Sequence, residues 1–160
     1  MTLYYTRNFD GAIECAKKTI ELDPGFASAH RLASLAYLGK GMFAEAIAEN
    51  QLWGEMEGNT DEASISLAHC YAVAGSKTEA LTLIKSVRKK PVSSGNLMRL
   101  IALVYTALDD PDQAFTWLER CCEIRSETMC SIKIDPKLDR LRSDPRFVSI
   151  LRKVGLEKET

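Results

Sequence analysis

The side chains in this chain that are best suited to chemistry are its cysteines and histidines. They are Cys15, Cys70, Cys121, Cys122, Cys130, His30 and His69. No two cysteines form a CxxC pair, and the histidines do not fall at the spacing of a zinc site. His69 and Cys70 are neighbours in the sequence, so on a helix they diverge and cannot act as base and nucleophile. We therefore expect no metal, no cofactor and no catalytic residue in this chain.

Two acidic pairs, Asp61-Glu62 and Asp109-Asp110, are the remaining candidates for acid–base chemistry. Both pairs stand where a helix is expected to begin, and carboxylates are favourable at the first turn of a helix. The sequence contains no phosphate-binding loop, no GxSxG motif and no HExxH motif. These patterns favour a binding module over an enzyme.

Composition limits the class of protein. The chain has 160 residues, 46% hydrophobic and 27% charged, which is typical of one soluble globular domain. Lys and Arg number 21 against 22 Asp and Glu, and this near-neutral balance argues against a nucleic-acid or anionic-membrane partner. The longest uncharged apolar stretch, residues 100–108, is about half a membrane span. An odd number of cysteines without an export signal predicts a cytoplasmic location.

An internal repeat is the strongest signal in the sequence. An alanine followed by a bulky apolar residue recurs at Ala12, Ala46, Ala80 and Ala114, a period of 34 residues. Nine residues before each alanine stand Leu3, Tyr37, Tyr71 and Tyr105, and five before it stand Arg7, Gly41, Gly75 and Asp109. Such a period predicts two short helices per unit, with a turn between them at the second set of positions.

This pattern resembles the tetratricopeptide repeat family over residues 3–126. The resemblance implies an all-α fold, a right-handed solenoid of helix pairs closed by a carboxy-terminal capping helix. The implied boundaries are 1–26 for a partial first repeat, 27–60, 61–94 and 95–128 for three further repeats, and 129–160 for the capping segment. The tail also resembles the closing segment of bacterial arrays that follow a nucleotide cyclase, a protein kinase or a transcription regulator.

Helical periodicity and capping residues predict eight helices. They are Phe9–Leu22, Ser28–Gly39, Phe43–Met56, Glu62–Ala74, Lys77–Lys89, Leu97–Ala107, Pro111–Ile124 and Pro145–Val154. In the third of these, Asn50 and Gly54 stand where apolar residues are expected, and Trp53 stands where a small one is usual. We therefore expect this helix to be displaced or to end early.

Binding is the function that the resemblance implies. In the family, the first helix of each pair lines a concave groove. Carried onto this sequence, the groove candidates are Arg31, Leu32, Leu35, Ile65, His69, Arg99, Leu100 and Leu103. An apolar centre flanked by arginines suits an amphipathic helix or an acidic peptide. Two alternatives stay open: the candidate residues pack internally, or the array mediates oligomerisation, such as a homodimer, or docks a regulatory domain.

The period also predicts that the first repeat starts before Met1. An array that begins inside a helix leaves an apolar face uncovered, because terminal repeats need a polar cap. We expect the chain to be the carboxy-terminal piece of a longer protein, or its first helix to be covered by another chain.

Overall fold

The structure is a computed structural model that describes residues 2–157, in which every regular element is a helix. The α-helices are α1 (Thr2–Tyr5), α2 (Phe9–Leu22), α3 (Ala27–Gly39), α4 (Phe43–Met56), α5 (Asp61–Val73), α6 (Lys77–Val87), α7 (Gly95–Ala107), α8 (Pro111–Glu123) and α9 (Pro145–Lys153). Two 3₁₀ segments, Glu127–Ser131 and Pro136–Leu141, lie between α8 and α9. The all-α helical-repeat fold is confirmed, and each predicted helix begins and ends within two residues of its expected bounds.

The chain divides into two compact units, one ending at Val87 and the other beginning at Arg88. In unit 1, each helix from α2 to α5 packs against the next one, and α1 packs against α2 and α3. In unit 2, α7 packs against α8 and against both 3₁₀ segments, and α9 packs against α8. The predicted repeat 61–94 crosses this division. Met1 of the predicted first repeat and residues 158–160 of the predicted capping segment lie outside the described residues.

The repeated alanines are fully buried in the helical packing. Ala12, Ala46, Ala80 and Ala114 are all 0% exposed. A side chain this small allows the neighbouring helix to approach closely, so the hydroxyl of Ser34 on α3 donates to the carbonyl of Ala46 on α4 at 2.8 Å. Tyr37 and Ala46 belong to one buried cluster, against which Leu32 packs. The period in the sequence is therefore a period of helix–helix packing.

The turn inside each helix pair has the same backbone conformation. Arg7, Gly41, Gly75 and Asp109 have φ angles of 61°, 73°, 87° and 60°, in the left-handed region. In each turn the next residue donates its amide to the carbonyl five positions earlier, as Ser76 does to Tyr71 at 2.8 Å. This is the hydrogen bond that closes a helix with a left-handed residue. The predicted turn positions are confirmed.

This geometry predicts opposite effects for two substitutions in the turns. Asp109→Gly is expected to raise the free energy of unfolding by about 1 kcal/mol, because glycine adopts a positive φ without the steric cost that aspartate bears. Gly75→Ala is expected to lower it by a similar amount, since nothing lies within 4 Å of an added Cβ and the backbone conformation alone opposes the change. Urea denaturation of the two variants measures both values, and two shifts of the same sign would contradict the assignment.

The length of helix α4 differs from what its unusual residues led us to expect. The prediction that this helix ends early is wrong, because α4 continues to Met56 with Asn50, Trp53 and Gly54 all buried. The Asn50 amide Nδ2 donates to the Ser66 hydroxyl at 2.8 Å, so the polar side chain finds a partner on α5. A Cβ added at Gly54 would lie 3.4 Å from the Ala63 Cβ, so the glycine makes room for α5. The unusual residues are accommodated by α5.

Three Asp-Pro pairs begin helices in unit 2. Asp110 accepts from the Gln113 amide at 3.1 Å, Asp135 from the Lys137 amide at 3.1 Å, and Asp144 from the Arg146 amide at 2.9 Å. Proline follows each aspartate, where its missing N–H costs nothing. The starts at Pro111 and Pro145 agree with the sequence analysis, whereas the 3₁₀ segment Glu127–Ser131 was not predicted.

Candidate interaction surface

In unit 1, the predicted groove is mostly inaccessible. Leu35, Ile65 and His69 are buried, with Ile65 at 0% exposure, whereas Arg31 and Leu32 are half-buried. The Arg31 guanidinium carbon lies 5.3 Å from the centre of the Trp53 ring, a cation–π contact that holds this arginine against α4. Arg31 and Leu32 are therefore the part of the unit 1 candidate set that can contact a partner without rearrangement.

In unit 2, the predicted groove residues are buried, and one of them is engaged by the chain's own carboxy-terminal segment. Arg99, Leu100 and Leu103 are all buried. The Arg99 Nη1 donates to the Asp135 Oδ2 at 2.9 Å, and the Asp135 side chain is 0% exposed. Asp135 lies between the two 3₁₀ segments that pack against α7. The arginine that was predicted to flank the groove is engaged by a carboxylate of the same chain.

Arg142 donates hydrogen bonds to three residues of the carboxy-terminal segment around Asp135. Its Nη1 donates to the Lys133 carbonyl at 2.6 Å and its Nη2 to the Asp135 carbonyl at 3.2 Å. Its Nε donates to the Asp139 carboxylate at 2.8 Å. One guanidinium thus binds the backbone on both sides of the turn that carries Asp135. No local signal in the sequence identified Asp135 as the partner of Arg99.

The outer face of α4 is a surface that sequence reasoning missed. Ala44, Ala48, Leu52 and Met56 recur every four residues, so they form one stripe along the helix, named here the α4 outer stripe. All four side chains are exposed, Leu52 by 42% and Met56 by 43%. The residues one repeat period (34 positions) after Ala44, Ala48 and Leu52 lie in α6, and they are polar: Thr78, Thr82 and Ser86. Comparison of the repeats at these positions would have revealed the stripe.

The segment around the stripe is strongly acidic. Between Lys40 and Lys77 there is no lysine or arginine, but there are six carboxylates: Glu45, Glu49, Glu55, Glu57, Asp61 and Glu62. The Glu49 Oε2 lies 2.7 Å from the Nδ1 of the His30 ring. Glu45 and Glu55 form no ion pair within residues 2–157. These two carboxylates stand three positions from Ala48 and Leu52, so they border the stripe.

A cleft adjoins the stripe between α4, α5 and α6. It measures about 370 Å³ and is lined by Asn50, Gln51, Gly54, Glu55, Asn59, Ala63, Ser64, Leu67 and Leu83. Asn50 is 2% exposed, and its Oδ1 has no hydrogen-bond partner in the part of the chain that the structure describes. A buried acceptor without a donor is rare in folded proteins. The Glu55 carboxylate, which is exposed, also lines the cleft.

The cysteines differ sharply in their environments. Burial, with a smaller effect of the neighbouring Cys122, raises the pKa of the Cys121 thiol to about 12. Burial also raises the pKa of Cys122. Cys15 and Cys130 are exposed, whereas Cys70 and Cys121 are buried. Within residues 2–157 no group of three or more histidine, cysteine or acidic side chains is arranged to hold a metal ion.

These environments predict the order in which the thiols react. A raised pKa leaves the Cys121 thiol neutral at pH 8, and the thiolate is the reactive form. Iodoacetamide at that pH is expected to label Cys15 and Cys130 first and to leave Cys121 unmodified until the chain unfolds. Peptide mass spectrometry over time measures the order. Equal rates at Cys121 and Cys15 would show that α8 is not packed as described.

Comparison with known families agrees with this architecture. Residues 100–128 match the model of the tetratricopeptide repeat. The matched stretch spans most of α7, the turn at Asp109 and all of α8. The match supports a tetratricopeptide repeat family for this chain. No curated protein matches the chain. No helix of the described part is both long enough and apolar enough to cross a membrane.

Proposed function

We propose that this chain is a non-catalytic protein-interaction module whose partner binds to unit 1. Tetratricopeptide repeats generally mediate protein–protein interaction. The observation that carries the choice of unit is the burial of Arg99 against Asp135, by which the carboxy-terminal segment covers one face of α7. Unit 1 keeps large apolar side chains at its surface, among them Leu52 and Met56. A surface of this kind can bury apolar area on a partner.

The concave groove predicted from the sequence remains one proposed site within unit 1. Arg31 and Leu32 are its accessible residues and would contact an acidic or apolar peptide. Self-association is the second proposed function. Leu22 is 87% exposed and Phe26 is 49% exposed, so the end of α2 and the loop after it offer apolar surface to a second copy.

The wider context is proposed from the sequence alone. It comprises the repeat boundaries 27–60, 61–94 and 95–128, a cytoplasmic location, and a regulatory role beside an effector domain of a bacterial signalling protein. The helix pairs α3–α4 and α7–α8 fit the first and last of these repeats.

A peptide selection combined with light scattering tests the proposed function. The purified chain is used to select binders from a displayed peptide library, and its mass is measured at several concentrations. Enriched peptides, or a dimer that forms with rising concentration, are the expected results. A chain that stays monomeric and enriches no peptide would refute the function. Loss of peptide binding in the double variant Arg31→Ala/Leu32→Ala would place the site in the predicted groove.

A further inference from the structure

The apolar residues of the α4 outer stripe are aligned on one face of a helix, whereas exposed apolar residues on an ordinary protein surface are scattered singly. Single exposed apolar side chains are normal and need no explanation. Here Leu52 and Met56 are four residues apart on one helix, and the other face of the same helix buries Ala46, Asn50 and Trp53. A helix that is apolar on both faces is typical of one covered on both sides. In the structure, α4 packs against α3 and α5, and the stripe is left exposed.

The charges around the stripe indicate the chemistry of what would cover it. Glu45 and Glu55 border the stripe, and Glu57, Asp61 and Glu62 follow along the chain. Lysine and arginine are absent from residues 41–76, so no basic side chain of that segment neutralises them. A partner that buries Leu52 and Met56 brings its own charges close to these carboxylates. Attraction therefore requires lysine or arginine on the partner.

The cleft beside the stripe favours the same chemistry. The Glu55 carboxylate lines the cleft and accepts hydrogen bonds, and Gln51 and Ser64 line the same space. A guanidinium or an ammonium group supplies donors and a positive charge, so it complements this carboxylate. An acidic side chain would instead be repelled by it. The cleft can therefore hold one basic side chain of a partner.

We propose that the α4 outer stripe and the adjoining cleft bind a basic amphipathic helix of a partner protein. The apolar face of that helix covers Leu52 and Met56, and its lysines or arginines contact Glu45 and Glu55. One of these basic side chains enters the cleft beside Glu55. The stripe runs the length of α4, which suits a helix laid along it. This inference rests on the proposed interaction function and assigns it a surface and a partner class.

Fluorescence anisotropy with synthetic peptides tests the proposal on the full chain. The probe is a labelled peptide of about 14 residues, with leucines spaced three and four apart and lysine or arginine elsewhere. The control peptide replaces every basic residue by glutamate. The basic peptide is expected to bind at low salt and more weakly at high salt, and the acidic peptide is expected not to bind.

Variants of the chain locate the site. Leu52→Gln/Met56→Gln is expected to weaken binding by about tenfold or more, since both side chains are exposed and the fold does not depend on them. Glu45→Gln/Glu55→Gln is expected to weaken it about threefold and to reduce its salt dependence. The matched control is Ile124→Gln, which changes a 49% exposed apolar residue at the position equivalent to Met56 and should leave binding unchanged. Circular dichroism checks that each variant folds.

Three outcomes would overturn the proposal. They are equal binding of the basic and acidic peptides, a loss of binding in Ile124→Gln as large as in the stripe variant, and dimers of the unaltered chain that dissociate in the stripe variant. The last result would assign the stripe to a second copy of the chain. If the basic peptide fails but the library selection enriches others, the surface is wrong and the interaction function stands. If both experiments fail and the chain stays monomeric, the function itself is refuted.

Discussion

Asp135→Ala is expected to lower the free energy of unfolding of unit 2 by about 3–5 kcal/mol. The substitution leaves the buried Arg99 guanidinium without its carboxylate, and an unpaired buried charge costs far more than a surface one. It also removes the acceptor for the Lys137 amide, which begins the segment Pro136–Leu141. The loss should therefore release the carboxy-terminal segment from α7 as well as weaken the unit.

The two tryptophans allow this loss to be measured in one unit. Trp53 lies in unit 1 and Trp117 in unit 2, and both are buried. In a Trp53→Phe background, the fluorescence of Trp117 reports urea denaturation of unit 2 alone. Asp139→Ala is the control, because the Arg142–Asp139 pair is about one-third exposed and such pairs contribute about 1 kcal/mol or less. Similar small losses in both variants would show that the Arg99–Asp135 pair does not anchor the segment.

Ile65→Ala is expected to lower the free energy of unfolding by about 2–5 kcal/mol, the usual cost of a cavity in a packed core. Ile65 is 0% exposed, although the sequence pattern placed it in the ligand groove. The prediction therefore separates a packing role from a binding role. Trp53 fluorescence in a Trp117→Phe background is the measurement for unit 1.

Leu32→Ala provides the comparison for this prediction. Leu32 is a groove candidate that is only half-buried, so its truncation should cost clearly less than that of Ile65. An Ile65→Ala variant that is as stable as the unaltered chain but no longer binds selected peptides would contradict the packing role. It would indicate that Ile65 contacts the ligand in the groove.

The helices and turns were predictable because their determinants are local. Gly75 and Asp109 adopt the left-handed conformation that ends a helix, and Asp110 and Asp144 cap the helices that follow. Each of these features depends on residues a few positions apart. The 34-residue period then fixes which small residues lie between helices, and Ala46 and Ala80 are buried accordingly.

The candidate site was less predictable because burial depends on residues far apart in the sequence. Arg99 and Asp135 are 36 positions apart, and the repeat pattern of α7 does not reveal which segment covers it. Asn50 appeared to be misplaced on α4 until its partner Ser66, 16 positions away, was identified on α5. A repeat pattern predicts which side of a helix a residue occupies. It does not predict whether that side faces solvent or another part of the chain.

NMR chemical-shift mapping on the full chain locates the surface that the peptide contacts, residue by residue. Amide spectra of the ¹⁵N-labelled chain are recorded as the basic amphipathic peptide is added. If the peptide binds along α4, the largest shifts are expected at Ala48, Leu52, Glu55 and Met56, with few changes in α7 and α8. Shifts centred on Arg99 and Leu103, with release of the segment that carries Asp135, would contradict this site, because the partner would then displace the carboxy-terminal segment from unit 2.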